Sequence, residues 1–198
     1  TSVQSIAERF GLTSWSLGAI PRRYNIAPTD KCLILTSAEQ GIVSEHMEWG
    51  FVGNSGNKNN SFRIINSRSD KLTNIPRFMS SLQYRRCLVV ADGFYEWERG
   101  SSALGPMYYQ LLDTSPFAFA GIWSYGMSPS GIKVKRFSII TTEANTLVGQ
   151  VHHRMPVILS GESETAWLDQ SKKNSLGLLS LLIPFPSGSM QSYRVSRY

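Results

Sequence analysis

Short apolar runs separated by polar turns occupy most of this chain, and one amphipathic stretch precedes them. Val3, Ile6, Ala7 and Phe10 follow the i, i+3, i+4, i+7 spacing of a helix face, which predicts a short helix over residues 2–10. Gly11 is a suitable stop for that helix, because glycine adopts the left-handed conformation of a helix C-cap without strain. The helix is expected to cap the core.

The remaining apolar runs have the length and the β-branched content of strands. They predict strands in residues 32–35, 42–47, 62–65, 106–112, 117–123 and 134–142, and in the apolar part of 85–97. Short helices are predicted over 143–148, 162–168 and 175–182, and a loop over the polar residues 54–61. Many short strands with a few helices predict one α+β domain over residues 1–198, built on an antiparallel or mixed sheet.

Composition and charge narrow the classes of function. A hydrophobic fraction of 41% and a charged fraction of 17% exclude a disordered chain, and a net charge of +6 favours a polyanionic partner. Cys32 and Cys87, each inside an apolar run, are predicted to be buried thiols in a reducing compartment. The apolar runs are too short for a membrane span, so no membrane partner is expected.

The central stretch, residues 85–97, places a carboxylate where it can do chemistry. An apolar strand turns at Asp92-Gly93 and emerges with Glu96 between Tyr95 and Trp97. Because side chains alternate along a strand, Glu96 can enter a cleft while both aromatic neighbours face the other side. The alternative is a plain hairpin whose glutamate faces water.

Two further polar groups follow apolar strands: Asn66 with Arg68, and His152-His153-Arg154. A Glu and a His in one cleft can carry general acid/base chemistry at neutral pH, and an Asn amide can orient a substrate or stabilise an oxyanion. Alternatively, Asn66 is a turn residue, and at least one of the adjacent histidines is structural or exposed. No third ligand at metal-binding spacing, P-loop, GxGxxG or GxSxG motif occurs, so neither a metal nor a cofactor is expected.

Basic and aromatic residues interleave in a manner that suits single-stranded nucleic acid. The candidate stacking residues are Trp49, Phe51, Phe78 and Trp123, and the candidate phosphate contacts are Arg22, Arg23, Arg63, Arg68, Arg77, Arg85, Arg86 and Arg154. The alternative is that most of these aromatics belong to the core.

Taken in order, seven segments resemble the SRAP family of abasic-site processing proteins. They are residues 23–28 (RYNIAP), 49–50 (WG), 65–68 (INSR), 86–97 (RCLVVADGFYEW), 119–123 (FAGIW), 139–145 (IITTEAN) and 152–159 (HHRMPVIL). The resemblance implies a barrel-like, mainly antiparallel sheet with a basic groove for single-stranded DNA. It also implies a monomer without a cofactor, located at the nucleoid in a bacterial cytoplasm or in a eukaryotic nucleus.

The family's reaction implies roles for individual residues. In the family, an N-terminal cysteine attacks the ring-opened aldehyde of an abasic site and closes a thiazolidine, which crosslinks protein and DNA. Glu96 matches the catalytic glutamate, Asn66 the asparagine that holds the N-terminal residue and substrate, and His152 the histidine of ring opening and crosslink reversal. The DNA-binding set comprises Asn25, Trp49, Arg68 and Arg154 from the resemblance, with Arg77, Phe78 and Arg86 from the basic-aromatic pattern.

The chain departs from the family pattern at its two ends and at two internal positions. The family begins Cys-Gly-Arg-Phe a few residues before the segment that residues 1–12 resemble, and it usually continues beyond residues 195–198, so we expect a sequence trimmed at both ends. His153 stands where the family usually has Asp, and Ser67 where Ala is more common. Two alternatives stay open: a single-strand binding module without the nucleophile, and a peptidase-like hydrolase that uses the same Glu/His/Asn cleft. Lyase activity and removal of the initiator Met are further activities that the resemblance implies.

Overall fold

The computed structural model describes residues 2–12, 18, 21, 23–39, 41–54, 61–98, 105–128 and 130–196. Four α-helices lie in these ranges: α1 (Val3–Phe10), α2 (Pro76–Tyr84), α3 (Gly161–Leu168) and α4 (Ser175–Leu179). The strands are β1 (Lys31–Ala38), β2 (Gly41–Trp49), β3 (Phe51–Asn54), β4 (Ser61–Ile64), β5 (Asn66–Arg68), β6 (Arg86–Ala91), β7 (Phe94–Glu96), β8 (Met107–Leu111), β9 (Phe117–Met127), β10 (Lys133–Glu143), β11 (Arg154–Pro156), β12 (Ile158–Leu159) and β13 (Met190–Arg194).

Five of the strands close into a barrel. They pair in the order β10-β2-β1-β6-β9, and β9 pairs again with β10 to complete the circle. Only the β10–β2 pairing in this circle is parallel, while the long β9–β10 hairpin and the other pairings are antiparallel. The predicted α+β class and barrel-like, mainly antiparallel sheet are therefore confirmed.

Shorter strands extend the barrel at one end. β5 runs parallel to β10, β11 pairs with β10 on the far part of that strand, and β12 pairs with β9. A separate sheet in the order β13-β8-β7 carries Glu96 on β7. Asn66, Arg68, Glu96 and Arg154 thus lie on the additions to the barrel, whereas Trp49 ends the barrel strand β2.

Much of β1, β6, β9 and β10 is buried on both faces, which explains their nearly continuous apolar runs. Leu33 and Leu35 of β1 pack in one cluster with residues of α1, α2, α3 and α4, whereas Cys32 and Ile34 pack in a second cluster with Phe137. Because no helix fits inside five strands, the second cluster fills the barrel and the first lies between barrel and helices.

Three of the four predicted helices are present in the structure. α1 ends at Gly11, whose φ of 60° is the left-handed C-cap that the sequence predicted, and Ser2 caps its start. Helices α3 and α4 occur where predicted, although α4 is shorter. No helix within the described ranges is long and apolar enough to cross a membrane.

Two predictions about local structure differ from the observed fold. The predicted helix over 143–148 is wrong: Asn145 Oδ1 accepts hydrogen bonds from the N–H groups of Leu147 and Val148, which closes a turn before a 3₁₀ helix at Val148–Gln150. Helix α2 was missed, although Pro76 at its start and Phe78, Ser81 and Leu82 on its buried face carried the signal. The predicted loop over residues 54–61 begins at the last residue of β3 and ends at the first residue of β4. Its residues 55–60 lie outside the described residues.

A half-buried ion pair fastens α1 to α3. Both guanidinium nitrogens of Arg9 donate to the carboxylate of Glu164, at 2.8 and 3.0 Å. Burial raises the pKa of Glu164, although Arg9 opposes that shift.

We expect Arg9→Gln to cost about 2 kcal/mol of unfolding free energy at pH 8, because a buried carboxylate then lacks its partner.

The same loss is expected to shrink at pH 5. Without Arg9 the folded-state pKa of Glu164 rises further, so stability falls as pH rises through that value and returns as the carboxyl is protonated. Urea unfolding at both pH values measures the difference. The double variant Arg9→Gln/Glu164→Gln is the control, and an equal loss at both pH values would rule out this origin.

Candidate active site

Glu96 reaches the site through a turn that requires glycine. A Cβ on Gly93 would lie 2.1 Å from the Tyr108 hydroxyl oxygen, so no larger residue fits between β6 and β7. The turn leads β7 away from the barrel and onto β8, where Glu96 pairs with Met107. Asp92-Gly93 therefore sets the direction in which Glu96 leaves the barrel.

Glu96 and His152 form the centre of the site. Glu96 Oε1 lies 4.0 Å from His152 Nδ1, and the two side chains are 23% and 25% exposed. Burial raises the pKa of the Glu96 carboxyl, while the nearby His152 and the Trp97 N–H partly oppose the shift. A carboxyl held in this way is better suited to exchanging protons near neutral pH than an exposed one.

The backbone of Arg154 holds the His152 ring in place. The ring Nδ1 lies 2.9 Å from the carbonyl oxygen of Arg154 and 3.3 Å from the Arg154 backbone nitrogen, so both polar groups of that backbone contact the ring. The adjacent His153 is exposed whereas His152 is half-buried, although their ring centroids are only 4.6 Å apart. The two rings therefore have different surroundings.

Arginines border the Glu96–His152 pair. Arg154 donates to the Thr141 carbonyl at 2.5 Å and to the Thr141 hydroxyl at 3.2 Å. Arg68, which pairs with Thr141 across the sheet, donates two hydrogen bonds to Asp70, and Arg154 lies 3.7 Å from the same carboxylate. Two cations, on two strands that both pair with β10, thus share one carboxylate at the rim of the site.

Strand β5 presents Asn66 beside this rim. Asn66 and Arg68 are exposed, whereas Ser67 between them is buried and hydrogen-bonds Ser138 at 2.8 Å. The alternation puts the Asn66 and Arg68 side chains on the same face. The Trp49 indole N–H donates to the Ile65 carbonyl at 2.9 Å, which places Trp49 next to Asn66.

The loop that carries Asn25 meets the site from the other side. The Tyr95 hydroxyl donates to the Tyr24 carbonyl at 2.9 Å, and Thr29 N–H donates to the Trp49 carbonyl at 2.9 Å. Asn25, which is exposed, is therefore held between the neighbour of Glu96 and Trp49. One end of the barrel collects Asn25, Trp49, Asn66, Arg68, Glu96, His152 and Arg154.

Three residues of the predicted DNA-binding set lie elsewhere. Arg77 is exposed on α2 and donates to the Val52 carbonyl at 3.0 Å. Phe78 is buried against Phe51, and Arg86 is fully buried, where it donates to the carbonyls of Leu82, Gln83, Trp167 and Asp169. Burial leaves Phe78 and Arg86 no surface for DNA, so both are corrected to structural residues.

Several other arginines from the basic-aromatic pattern are occupied by partners within the chain. Arg23 pairs with Asp30 at 2.5 Å, Arg63 pairs with Glu48, and Arg85 donates to Trp123 O at 3.3 Å. Arg22 lies outside the described residues. A count of arginines in the sequence therefore overstates the number of phosphate contacts.

The two cysteines are not placed for nucleophilic chemistry. Both are free and buried. Burial raises the pKa of the Cys32 thiol to about 12 and that of Cys87 well above its ordinary value, so neither forms a thiolate readily. Within the described ranges, no three His, Cys, Asp or Glu side chains cluster as metal ligands would.

Sequence reasoning missed Asp70, Thr141 and Tyr95 as parts of the site. Asp70 and Thr141 hold the two arginines, and Tyr95 anchors the Asn25 loop. Asp70 stands two residues after Arg68, a short spacing that was a usable signal for an ion pair. The contacts of Thr141 and Tyr95 depend on strand register and carry no local signal.

Comparison with known proteins identifies relatives of this chain. The family model described as SOS response associated peptidase (SRAP) matches residues 1–198. The chain is 34% identical over 175 residues to the abasic site processing protein YoqW of Bacillus subtilis, covering 87% of this chain and 78% of that protein. It is 28% identical over 148 residues to YedK of Escherichia coli, also named an abasic site processing protein, covering 75% and 65%.

A solved structure shares the fold throughout. A crystal structure of a protein from Bacteroides thetaiotaomicron superposes with a TM-score of 0.84 at 26% identity, covering all of this chain and 90% of that one. The matched family model spans the whole chain, and the matched fold includes the barrel and its additions. This chain belongs to the SOS response associated peptidase (SRAP) family.

Proposed function

We propose that this chain processes abasic sites in single-stranded DNA; its relatives YoqW and YedK are named abasic site processing proteins. We further propose that a form with an N-terminal cysteine crosslinks to the lesion through a thiazolidine. The observation that carries the proposal is the half-buried Glu96 carboxyl 4.0 Å from His152, at the barrel end where Arg68 and Arg154 meet.

Acid/base catalysis at Glu96 and His152 suits the chemistry of an abasic sugar. Opening the sugar to its aldehyde requires a proton at the ring oxygen, and addition of an amine requires a proton to leave the nucleophile. A carboxyl with a raised pKa can accept and return a proton in turn. The His152 ring, held by the backbone of Arg154, would donate a proton to the sugar oxygen.

The surrounding residues suit recognition of one strand. Arg68 and Arg154 would contact phosphates, with Asp70 released from one or both of them, and Trp49 and Asn25 would contact bases or sugar. The exposed amide of Asn66 would hold the N-terminal residue and the substrate. Arg77 lies on α2 and donates to the Val52 carbonyl. It would contact the DNA strand farther along.

The nucleophile is proposed to be an N-terminal cysteine supplied by a Cys-Gly-Arg-Phe segment, because Cys32 and Cys87 are buried within strands and have no free α-amine. Its α-amine adds to the C1′ aldehyde and water leaves, which gives an imine. The thiol sulfur then adds to the imine carbon, and the thiol proton passes to nitrogen. One C–N and one C–S bond replace the carbonyl bond, and proximity of both groups on one residue drives the ring closure.

The same pair of residues could support strand cleavage at the lesion and removal of an initiator Met, and we include both in the proposal. The protein would act as a monomer, without a metal or cofactor. Its DNA substrate would place it at the bacterial nucleoid or in a eukaryotic nucleus.

A denaturing gel tests this function directly. The printed chain and a form with Cys-Gly-Arg-Phe restored before it are incubated with single-stranded DNA that carries one abasic site. We expect a heat-resistant shifted band from the restored form, which persists in Cys32→Ala and Cys87→Ala variants and is absent on an undamaged strand. DNA binding without any such band from the restored form would contradict the crosslinking proposal and leave a binding module.

A further inference from the structure

Three aromatic side chains at the other end of the barrel each carry a lysine ammonium over the ring. Lys133 Nζ lies 4.0 Å from the centre of the Tyr125 ring, Lys135 Nζ lies 4.8 Å from Trp123, and Lys173 Nζ lies 5.0 Å from Tyr84. We call these six residues the lysine-aromatic surface. None of them belongs to the site described above.

The pairing of β9 with β10 explains why two of these ring-lysine pairs have the same arrangement. Tyr125 pairs with Lys135 and Trp123 with Phe137, so each ring contacts the lysine two residues along the opposite strand. Diagonal neighbours on one face of an antiparallel pair are within reach of long side chains. The two ring-lysine pairs therefore lie side by side, with Trp123 and Tyr125 5.3 Å apart between ring centroids.

A groove connects this hairpin to the third pair. Its volume is about 300 Å³, and its lining includes Tyr84, Trp123, Lys135, Glu45 and Gln170. Tyr84 is 54% exposed and Tyr125 is 52% exposed, so both rings present accessible faces. Glu45 pairs with Lys135 at 2.7 Å, which leaves Lys133 and Lys173 as the more effective cations of this surface.

The lysine-aromatic surface is remote from Glu96 and His152. Strand β10 begins at Lys133 and reaches Thr141, at the candidate active site, eight residues later. At the rise of an extended strand this is roughly 26 Å. One strand of DNA at the active site would not reach the surface unless it continued around the barrel.

We propose that the lysine-aromatic surface is a second contact site for undamaged single-stranded DNA. Aromatic rings stack on any base, and adjacent ammonium groups contact phosphates, so a row of rings that alternates with lysines suits a strand without regard to sequence. The net charge of +6 favours the same polyanionic partner. DNA that engages both sites would stay bound longer than DNA held at either site alone.

The proposal rests on the proposed function only in sharing its ligand, single-stranded DNA, and it is tested on undamaged DNA. Fluorescence anisotropy with an oligo-dT strand of about 40 nucleotides compares the parent chain with Tyr125→Ala, for which we expect about 5-fold to 10-fold weaker binding. Tyr125→Phe keeps the stacking face and is expected to bind as the parent does. Lys133→Glu is expected to reduce the slope of log affinity against log salt by at least about one.

A variant that weakens DNA contact at the candidate active site tests the second site separately. In an Arg68→Ala variant the long strand should still bind, and Tyr125→Ala should weaken that remaining binding further. Unchanged affinity and salt slope in Tyr125→Ala and Lys133→Glu, with unchanged thermal unfolding, would overturn the second site. If the chain showed no preference for abasic DNA while Tyr125→Ala still weakened binding, the proposed function would fail and the second site would stand.

Discussion

Replacing Glu96 with Gln in the cysteine-restored form is expected to slow crosslinking to an abasic strand by about 10²-fold to 10⁴-fold, the usual contribution of a positioned acid/base group. The amide keeps the shape of the side chain but cannot take up or return a proton. Because Glu96 lies 4.0 Å from His152 in a half-buried position, no bulk water replaces its role efficiently. Single-turnover rates from quenched samples on denaturing gels measure the change.

Two controls separate chemistry from binding. Affinity for the abasic strand should change little in Glu96→Gln, since the arginines that would contact phosphates remain. Glu98→Gln removes another carboxylate two residues away, one that is exposed and pairs with Arg194, and it should crosslink like the parent. Parent-like crosslinking by Glu96→Gln would remove Glu96 from the mechanism.

Replacing Arg86 with Leu is expected to lower the free energy of unfolding by about 3–5 kcal/mol. The guanidinium is completely buried and donates to the carbonyls of Leu82, Gln83, Trp167 and Asp169, so the variant leaves buried acceptors without donors. These bonds also join the end of α2 to the end of α3. Urea unfolding monitored by circular dichroism measures the loss.

The neighbouring Arg85 supplies a matched control. Arg85 is only partly buried, and its donors reach the Trp123 carbonyl and the Ser80 hydroxyl, both of which water can serve instead. Arg85→Leu should therefore cost no more than about 1.5 kcal/mol. Equal losses for the two variants, or a loss below about 1 kcal/mol for Arg86→Leu, would contradict a structural role for Arg86 as assigned.

The sequence was informative about the fold wherever one local signal decided the structure. The alternation and length of the apolar runs located the long strands, and the spacing of Val3, Ile6 and Phe10 with Gly11 located α1. Barrel closure could not be derived in this way, because it depends on β10 pairing with both β2 and β9. Such pairings are set by the packing of the whole sheet.

Two local errors have clear physical origins. Asn145 begins a turn because its side-chain oxygen bonds the backbone ahead and its amide donates to the Phe185 carbonyl at 2.7 Å, a contact forty residues away. Arg86 was assigned to DNA as one of the arginines that interleave with aromatic residues. Its burial depends on carbonyls of α3, about eighty residues later, which no local pattern indicates.

The candidate site was predictable as a set of residue types but not as a geometry. Glu96, Asn66 and His152 stood out because each follows an apolar run, and the resemblance to a family gave them roles. Glu96 lies on β7 of the small sheet and His152 lies in the segment before β11. Their 4.0 Å separation therefore depends on how these two parts of the fold pack together. The contribution of Thr141, which holds Arg154, followed only from the register of β5, β10 and β11, whereas the spacing of Asp70 from Arg68 was a local signal.

The pH dependence of the crosslinking rate tests most directly whether Glu96 supplies the base. Burial raises the pKa of Glu96 above its ordinary 4.5, so the carboxylate that accepts a proton forms as pH rises through that higher value. The cysteine-restored parent should show a rising limb with its midpoint above 4.5 that is missing in Glu96→Gln. A second limb near about pH 8, from the nucleophilic α-amine, should be common to both forms. The same low-pH limb in both forms would contradict the assignment of Glu96 as the catalytic base.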